Sequence, residues 1–292
     1  SLPNTLLAML EADNGIFEEA KIAAEYAQER LSVNSIKFFP VIPRPPKIIC
    51  IGLNYAAHAA EGGHDKPNYP SFFMRGATSL TGHKQPIIRP KVSETLDYEA
   101  ELVAVIGKRS DRHMSREETL DLVAGYSIFN EASVREWQRK TQQYCIGKNF
   151  DNTGAFGPDF ITADEVPPGG AGLSIQSRLN GQVMQNDNTS NMIFDIAEAL
   201  MLLTECLTLE PGDILVSGTP SGVGHARQPP VWMSSGDTIE VEIEGLGGLE
   251  AAAGRLAGQG VIGNGEPAVG PIENLENLGF GRSGGSSCQA GW

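Results

Sequence analysis

The sequence predicts a mainly β-structured domain with some α-helix, preceded by a small N-terminal α/β appendage. From Ile48 onward, short β-branched runs alternate with turn clusters of Gly, Pro, Asn and Asp, which is typical of strand-rich domains. These runs do not alternate regularly with helical patterns, and this disfavours a doubly wound parallel sheet. With 292 residues, 40% of them hydrophobic and 20% charged, the chain is long enough for one large globular domain or two modest ones.

The N-terminal appendage is predicted to cover residues 1–45. A helix is expected over 16–31, because apolar residues recur at helical spacing, acids come early and Arg30 comes late. The prolines of 40–47 disfavour helix and central strand, so they mark a boundary. The main domain is therefore expected over 46–250, followed by a Gly-rich tail of weak periodicity over 251–292.

Within the main domain, the sequence predicts several strands and two helices. The strands are expected in the runs KIICIG, QPIIRP, ELVAVIG, DILVSG and TIEVEIEG. One helix is expected in SREETLDLVAG, where Ser115 is suited to the N-cap and Glu118 completes a capping box. The second helix is expected in SNMIFDIAEALMLLTECL.

The chain is strongly acidic, with 22 Lys and Arg against 36 Asp and Glu and a net charge of −14. Such a surface would repel nucleic acid and anionic membranes, so we expect neither as a partner. An anionic substrate would then need a local positive centre, either a bound cation or buried Lys and Arg. The sequence has no apolar run of about 20 residues and no basic leader. Four widely separated cysteines without a CxxC pair favour reduced thiols, and we expect a cytoplasmic protein.

Three acids form the first candidate site. In a strand over LDYEAELVAVIG (96–107), Glu99 and Glu101 point to the same face. Their mutual repulsion would be removed by Mg²⁺ or Mn²⁺, which prefer oxygen ligands. Alone, this pair fits a solvated strand face better. Glu131 follows the apolar run LVAGYSIFN and favours the metal site as a third acid, although alone it would fit a helix start.

Three further features could carry chemistry. His58 and Glu61 lie three residues apart, so on a helical turn they could form a hydrogen bond that makes His58 a general base; an ordinary surface pair is the alternative. Lys148, between Gly and Asn, could hold a substrate oxygen, although most lysines are solvated.

The run DILVSGTPSGVG (213–224) predicts a strand entering a Gly-rich turn. Its backbone N–H groups and Thr219 could receive a carboxylate, and a purely structural turn is equally compatible.

Six motifs, in this order, resemble the fumarylacetoacetate hydrolase family from about Pro45 to about Gly248: LNYAAHAAE, LDYEAELVAVIGKRS, VAGYSIFNEASVREWQ, IGKNFDNTGAFGP, RLNGQVMQNDNTSNMIF and LEPGDILVSGTPSGVG. The resemblance implies a mixed β-sandwich roll, usually dimeric, that binds Mg²⁺ or Mn²⁺ through three acids. These map onto Glu99, Glu101 and Glu131, and the third is normally Asp.

The resemblance also implies roles for the remaining candidates. His58 and Glu61 correspond to the family's water-activating pair, and Lys148 to its active-site lysine. Substrate contacts are implied for Gln185, Thr189 and Thr219, and for Arg75, where relatives often carry Lys.

The reaction expected on this basis is hydrolysis of a carbon–carbon bond in a small β-diketo acid, an acylpyruvate-like 2-oxo acid, with His58 activating the water. Two alternatives within the family stay open, because the same metal-stabilised enolate serves them without an attacking water: decarboxylation of an oxaloacetate-like acid and keto–enol isomerisation of a hydroxymuconate-like diacid. The presence of both His58 and Glu61 favours hydrolysis over these two. A non-catalytic protein that binds metal or a small acid is an alternative of another class. A homodimer is expected from the resemblance alone.

Overall fold

The computed structural model describes residues 2–12 and 15–255. The predicted Gly-rich tail, from residue 256 to its end, lies outside the described residues. The helices are α1 (Leu6–Leu10), α2 (Ile16–Glu25), α3 (Ala56–Glu61), α4 (Arg116–Thr119), α5 (Arg135–Gln138), α6 (Cys145–Lys148) and α7 (Ile196–Cys206). The strands are β1 (Ile48–Gly52), β2 (Ser71–Arg75), β3 (Leu80–Thr81), β4 (Ile87–Arg89), β5 (Leu96–Asp97), β6 (Ala100–Ile106), β7 (Val123–Glu131), β8 (Ser133–Val134), β9 (Gly154–Phe156), β10 (Ile161–Thr162), β11 (Ser174–Leu179), β12 (Gln182–Asn188), β13 (Ile214–Val216), β14 (Thr238–Ile243) and β15 (Gly247–Arg255).

Two large sheets and one short one contain these strands. The first has eight strands in the order β2-β1-β13-β6-β7-β9-β3, with β10 also paired to β7. The second has five strands in the order β12-β11-β14-β15-β4, and β5 and β8 form a two-stranded ribbon. Parallel and antiparallel pairs both occur, since β1 runs parallel to β13 while β6 runs antiparallel to β7. The mainly β class with some α-helix is confirmed.

Strand β6 lies in the interior because apolar side chains leave both of its faces. Leu102 and Ala104 belong to one hydrophobic cluster, which also contains the inward residues of β11, β14 and β15. Val103 and Val105 belong to a second cluster on the other face, with Cys50 of β1. A strand buried on both faces is held rigidly, and its continuation towards Glu99 is therefore fixed in position.

All five predicted strand runs contain strands, namely β1, β4, β6, β13 and β14. The predicted capping box is also present, because the backbone N–H of Ser115 donates to Glu118 Oε2 at 2.9 Å. The helix that follows is shorter than expected. It ends at Thr119, and after one 3₁₀ turn the chain enters β7 at Val123, where pairing with β6 replaces the helical hydrogen bonds.

Two other helices are also shorter than their patterns suggest. Helix α7 begins only after Asp195, whose carboxylate accepts the N–H of Glu198 at 3.0 Å. Helix α2 ends at Glu25 rather than near residue 31, and none of its side chains is buried. Without a buried face, a short helix has little to stabilise its last turns. Residues 15–45 contain helical segments and no strand.

Among the described residues, no helix has both the length and the apolar character needed to span a bilayer. Cys50, Cys145 and Cys206 form no disulfide with one another. Cys288 lies outside the described part of the chain.

Candidate active site

The three predicted acids lie on the antiparallel pair of β6 and β7. Ala100 is paired with Asn130, and the N–H of Glu131 donates to the backbone oxygen of Glu99 at 2.9 Å. This register places one carboxylate oxygen from each of Glu99, Glu101 and Glu131 within 4.8 Å of the others. The three side chains are 1–3% exposed, which excludes the alternative of a solvated strand face.

Buried cations surround this acidic group. Lys148 Nζ contacts Glu99 and lies 2.7 Å from Glu131 Oε2. Arg135 Nη2 lies 2.7 Å from Glu99 Oε1. Buried basic residues, one of the two sources of positive charge expected for an anionic substrate, are therefore present among the acids.

The acids are not electrostatically equivalent. Burial raises the pKa of Glu101 well above its usual value, and the charges of Glu131 and Glu99 raise it further. Burial acts in the same direction on Glu99, but Arg135 and Lys148 outweigh it and hold the pKa of Glu99 below its usual value. For Lys148, burial lowers the pKa, yet Glu131 and Glu99 together raise it above the ordinary lysine value.

A divalent cation fits this set of donors. Glu131 Oε1 is buried without a hydrogen-bond partner, and burial together with the charges of Glu131 and Glu99 raises the pKa of Glu101. Three converging carboxylate oxygens are the ligand type that Mg²⁺ and Mn²⁺ prefer, and they do not distinguish the two metals. Glu99, Glu101 and Glu131 therefore form a candidate metal site.

His58 and Glu61 form the predicted pair on α3. His58 Nδ1 lies 2.8 Å from Glu61 Oε1, and the second oxygen of Glu61 accepts the N–H of Gly222 at 2.8 Å. The His58 side chain is only 8% exposed, so the pair is not an ordinary surface contact. Because an ionised carboxylate only accepts hydrogen bonds, Glu61 selects the tautomer of His58 that carries its proton on Nδ1, and in that tautomer Nε2 has the lone pair.

The Gly-rich turn after β13, here called the carboxylate turn (residues 217–224), receives carboxylates from the protein itself. Its backbone N–H groups donate to three different acids: Gly218 to Glu101 at 2.6 Å, Gly222 to Glu61 at 2.8 Å and Gly224 to Asp97 at 2.7 Å. Gly218 and Gly222 have φ of +93° and +103°, a region that residues with a Cβ rarely adopt. The turn thus positions a candidate metal ligand and the carboxylate partner of His58.

A cavity of about 440 Å³ opens beside these groups. Six of the ten predicted site residues line it: His58, Glu99, Glu101, Glu131, Lys148 and Thr219. Glu61 lies behind His58. The Thr219 hydroxyl donates to the backbone oxygen of Ala100 at 2.9 Å, so its position on the cavity wall is tied to β6.

Arg75, Gln185 and Thr189 do not line this cavity. The Arg75 guanidinium lies behind Glu131, with Nη1 at 3.6 Å from Glu131 Oε1, and donates to Ser79 and Thr153. Gln185 donates to Thr219 Oγ1 at 2.8 Å and therefore supports that residue from behind.

Thr189 occupies a different environment, where it accepts from Leu173 N–H and donates to the backbone oxygen of Gly170. All three side chains form hydrogen bonds with other protein groups, and their contacts with substrate stay a prediction.

Three residues of the site escaped the sequence analysis. Arg135 and His225 line the cavity, and buried Asp97 lies between them, 2.8 Å from Arg135 Nε and 3.2 Å from His225 Nδ1. Alternation could have identified Asp97, because it precedes Glu99 by two residues in the same run. No local pattern indicates His225, which follows the carboxylate turn directly.

Comparison with known proteins agrees with this geometry. Residues 47–252 match the family described as "Fumarylacetoacetate (FAA) hydrolase C-terminal". The chain is 38% identical over 251 residues to the mitochondrial oxaloacetate tautomerase fahd2 of Xenopus laevis, covering 85% of this chain and 78% of that protein.

Two solved structures of enzymes are also similar. The 5-carboxymethyl-2-hydroxymuconate delta-isomerase of Mycobacterium smegmatis is 31% identical with a TM-score of 0.67, covering 77% of this chain and 82% of that one. The maleylpyruvate hydrolase of Sphingobium sp. SYK-6, in complex with manganese(II) and pyruvate, is 28% identical with a TM-score of 0.73, covering 87% and 86%. The match to the family over 47–252, together with the fold and the three clustered acids, shows that this chain belongs to the fumarylacetoacetate hydrolase family.

Proposed function

We propose that this protein catalyses the keto–enol tautomerisation of a small 2-oxo diacid of the oxaloacetate type. The observation that carries the proposal is a buried imidazole, His58, fixed by Glu61 on the wall of the cavity that also holds the three acids. Tautomerisation takes a proton from the carbon beside the 2-oxo group and adds one to the oxygen, so it requires a positioned base and no attacking water. The name of the Xenopus relative supports the same reaction.

The residues have separate tasks in this reaction. A divalent cation held by Glu99, Glu101 and Glu131 would act as a Lewis acid that polarises the 2-oxo group. Nε2 of His58 removes the proton from the neighbouring carbon, and Glu61 stabilises the imidazolium that results. The buried ammonium of Lys148 and the guanidinium of Arg135 offset the negative charge of the diacid and of the developing enolate.

Hydrolysis of an acylpyruvate-like acid is the second candidate function. The His58–Glu61 pair could equally activate a water, and the similar maleylpyruvate hydrolase carries out a hydrolytic reaction by its name. Decarboxylation of oxaloacetate uses the same enolate chemistry and is distinguished from tautomerisation by its product.

A substrate panel separates these reactions. The protein is incubated with Mg²⁺ or Mn²⁺ and oxaloacetate, acylpyruvates or fumarylpyruvate, while enol absorbance and pyruvate are both followed. We expect faster interconversion of enol and keto oxaloacetate without pyruvate release. Pyruvate from an acylpyruvate would instead identify a hydrolase, and pyruvate from oxaloacetate a decarboxylase. Inactivity with every substrate and both metals would favour the non-catalytic alternative.

A further inference from the structure

Besides His58, two histidines that the reaction above does not use line the cavity: the exposed His64, and His225, whose imidazole contacts the buried carboxylate of Asp97. His225 lies in a 3₁₀ turn, Gly224–Ala226, and lines the cavity together with His58. Its side chain is 9% exposed, and its Nδ1 is 3.2 Å from Asp97 Oδ2. A histidine held by a carboxylate on one nitrogen has its orientation and tautomer defined by that contact.

Asp97 is a hydrogen-bond acceptor on both of its oxygens. The carboxylate is fully buried and accepts from Arg135 Nε at 2.8 Å and from the backbone N–H groups of Tyr98, Gly224 and His225 at 2.7–3.0 Å. In such a ring of donors, Nδ1 of His225 contributes one more N–H. Nε2 is then the nitrogen that is free to exchange a proton with a ligand in the cavity.

The His225–Asp97 pair has the same arrangement as the His58–Glu61 pair, and both carboxylates are held by neighbouring residues of the carboxylate turn. The carboxylate turn donates to Glu61 from Gly222 and to Asp97 from Gly224. The carboxylates that orient the two imidazoles are therefore anchored to the same rigid segment. Two fixed proton-transferring groups suit a reaction in which one proton leaves carbon and another joins oxygen, since neither imidazole has to move between the two atoms.

We propose that His225 is a second catalytic acid–base residue, which transfers the proton at the 2-oxo oxygen while His58 transfers the proton at carbon. The inference rests on the proposed tautomerase function. In the keto-to-enol direction the C3–H bond breaks and its proton goes to Nε2 of His58. The electron pair of that bond becomes the C2–C3 double bond, and the oxygen takes a proton from Nε2 of the His225 imidazolium. Together the two imidazoles carry one extra proton, which is on His225 before the step and on His58 after it. The reverse reaction restores it to His225.

Two substitutions of His225 test this role on the metal-loaded full-length protein. In His225→Asn, the side-chain amide lies where Nδ1 was and can still donate to Asp97, but Nε2 is lost. In His225→Gln, an amide lies near the position of Nε2 and can form hydrogen bonds without carrying a proton. His113→Asn is the matched control, because His113 is exposed, lies away from the cavity and has φ of +58°, which asparagine tolerates.

Two rates are measured for each variant: enol–keto interconversion by ultraviolet absorbance, and exchange of the C3 protons with deuterium by NMR, both after subtraction of the enzyme-free rate. Both His225 variants should lose about 10²–10⁴-fold in interconversion, the usual range for general acid–base catalysis. Exchange should stay close to wild type, because His58 still removes the proton from carbon. His58→Ala should lose both rates, and His113→Asn neither.

Several outcomes would overturn the assignment. Wild-type interconversion in His225→Gln would mean that a hydrogen bond suffices. Equal loss of both rates, together with a lowered melting temperature, would mean that His225 only holds Asp97 in place. If wild type tautomerises oxaloacetate and His225→Asn does so equally fast, the inference alone fails. If wild type does not tautomerise it at all, the proposed function fails first.

Discussion

Glu101 is the acid on which the candidate metal site depends most directly, since it is buried beside two other carboxylates and its Oε2 is held by Gly218. Replacing Glu101 by Ala should abolish binding of Mg²⁺ or Mn²⁺, measured by isothermal titration calorimetry. Glu94→Ala is a suitable control, because Glu94 is an exposed acid of the same stretch of chain. An unchanged affinity in Glu101→Ala would exclude this site.

The raised pKa of Glu101 also predicts a pH dependence of metal binding. Protonation of this carboxyl competes with the cation, and a raised pKa means that competition begins at a higher pH than for an ordinary glutamate. As the pH is lowered, metal affinity should therefore begin to fall at a higher pH than at a site of ordinary glutamates, and binding in that range should release a proton. Calorimetry in buffers of different ionisation enthalpy measures that proton. An affinity that is constant over this range would contradict the prediction.

The His58–Glu61 pair allows a prediction that separates base catalysis from metal binding. His58→Ala should slow the reaction by about 10²–10⁴-fold, and Glu61→Gln by part of that amount, because the imidazole loses its orienting charge. Metal affinity should survive both changes, since neither side chain is among the three clustered acids. The two quantities are compared by steady-state kinetics and calorimetry on the same preparations. Unchanged kinetics would place the base elsewhere.

At the residue scale, the sequence predicts what depends on local geometry. Glu99 and Glu101 share a face because strand side chains alternate, and His58 reaches Glu61 because both lie on one helical turn. Arg75 was assigned to the substrate by analogy with relatives, yet its guanidinium is buried between Ser79, Thr153 and Phe129. The contacts with Thr153 and Phe129, which are distant from Arg75 in sequence, follow from sheet packing, which no local pattern contains.

At the element scale, Gly222 allows a test of whether the carboxylate turn positions the His58–Glu61 pair. A Cβ at Gly222 would lie 2.2 Å from the backbone oxygen of Met184, in addition to the strain of φ at +103°. Gly172 has a similar φ of +83° but no atom within 4 Å of its added Cβ. Gly172→Ala should therefore cost only the backbone strain of about 1–2 kcal/mol in the free energy of unfolding.

Gly222→Ala should destabilise the protein clearly more than Gly172→Ala, because backbone atoms must also shift to relieve the contact with Met184. Glu61 loses its aligned N–H donor at the same time, so activity should fall as well. Urea denaturation and steady-state kinetics of the two variants measure both effects. Equal destabilisation, with activity retained in Gly222→Ala, would show that the turn does not position the pair.

The elements themselves were predicted better in their centres than at their ends. Strand runs such as ELVAVIG are specified by β-branched residues buried on both faces. The C-terminal end of α4 and the N-terminal end of α7 are set by other groups. From Val123 the chain pairs with β6, and Asp195 caps the start of α7 later than the periodicity suggests. Helical periodicity extends beyond both of these points, so the sequence alone places the ends too far out.

At the scale of the whole molecule, we predict a homodimer. The prediction rests on what the resemblance to the family implies and on no contact in the structure. Light scattering at micromolar protein concentration should return about twice the mass of 31.2 kDa. A mass near that of one chain would contradict it, and a variant truncated after residue 255 would show whether residues 256–292 are required. The catalytic domain proposed over 46–250 extends to residue 255, because β15 runs to Arg255 and its last three residues pair with β4.

The net charge of −14 shapes how a diacid reaches the site. The protein as a whole repels it, while Lys148 and Arg135, which are paired with buried acids, act on it only at the cavity, where a bound divalent cation would add positive charge. Attraction is therefore confined to short range, where salt screens it least. This distribution favours small anions that can enter completely over large polyanions that remain outside.

The carboxylate turn has a consequence for how this protein can diversify. Three N–H groups within seven residues hold Glu101, Glu61 and Asp97, so one shift of the turn displaces all three carboxylates together. A substitution in the turn therefore disturbs several carboxylates of the site at once, and a new substrate preference must arise elsewhere in the chain. The opposite case is the stretch 138–144, which contributes Gln138, Arg139, Thr141 and Tyr144 to the cavity wall and is largely exposed. Divergence among descendants of this enzyme should accumulate in that stretch while the turn stays unaltered.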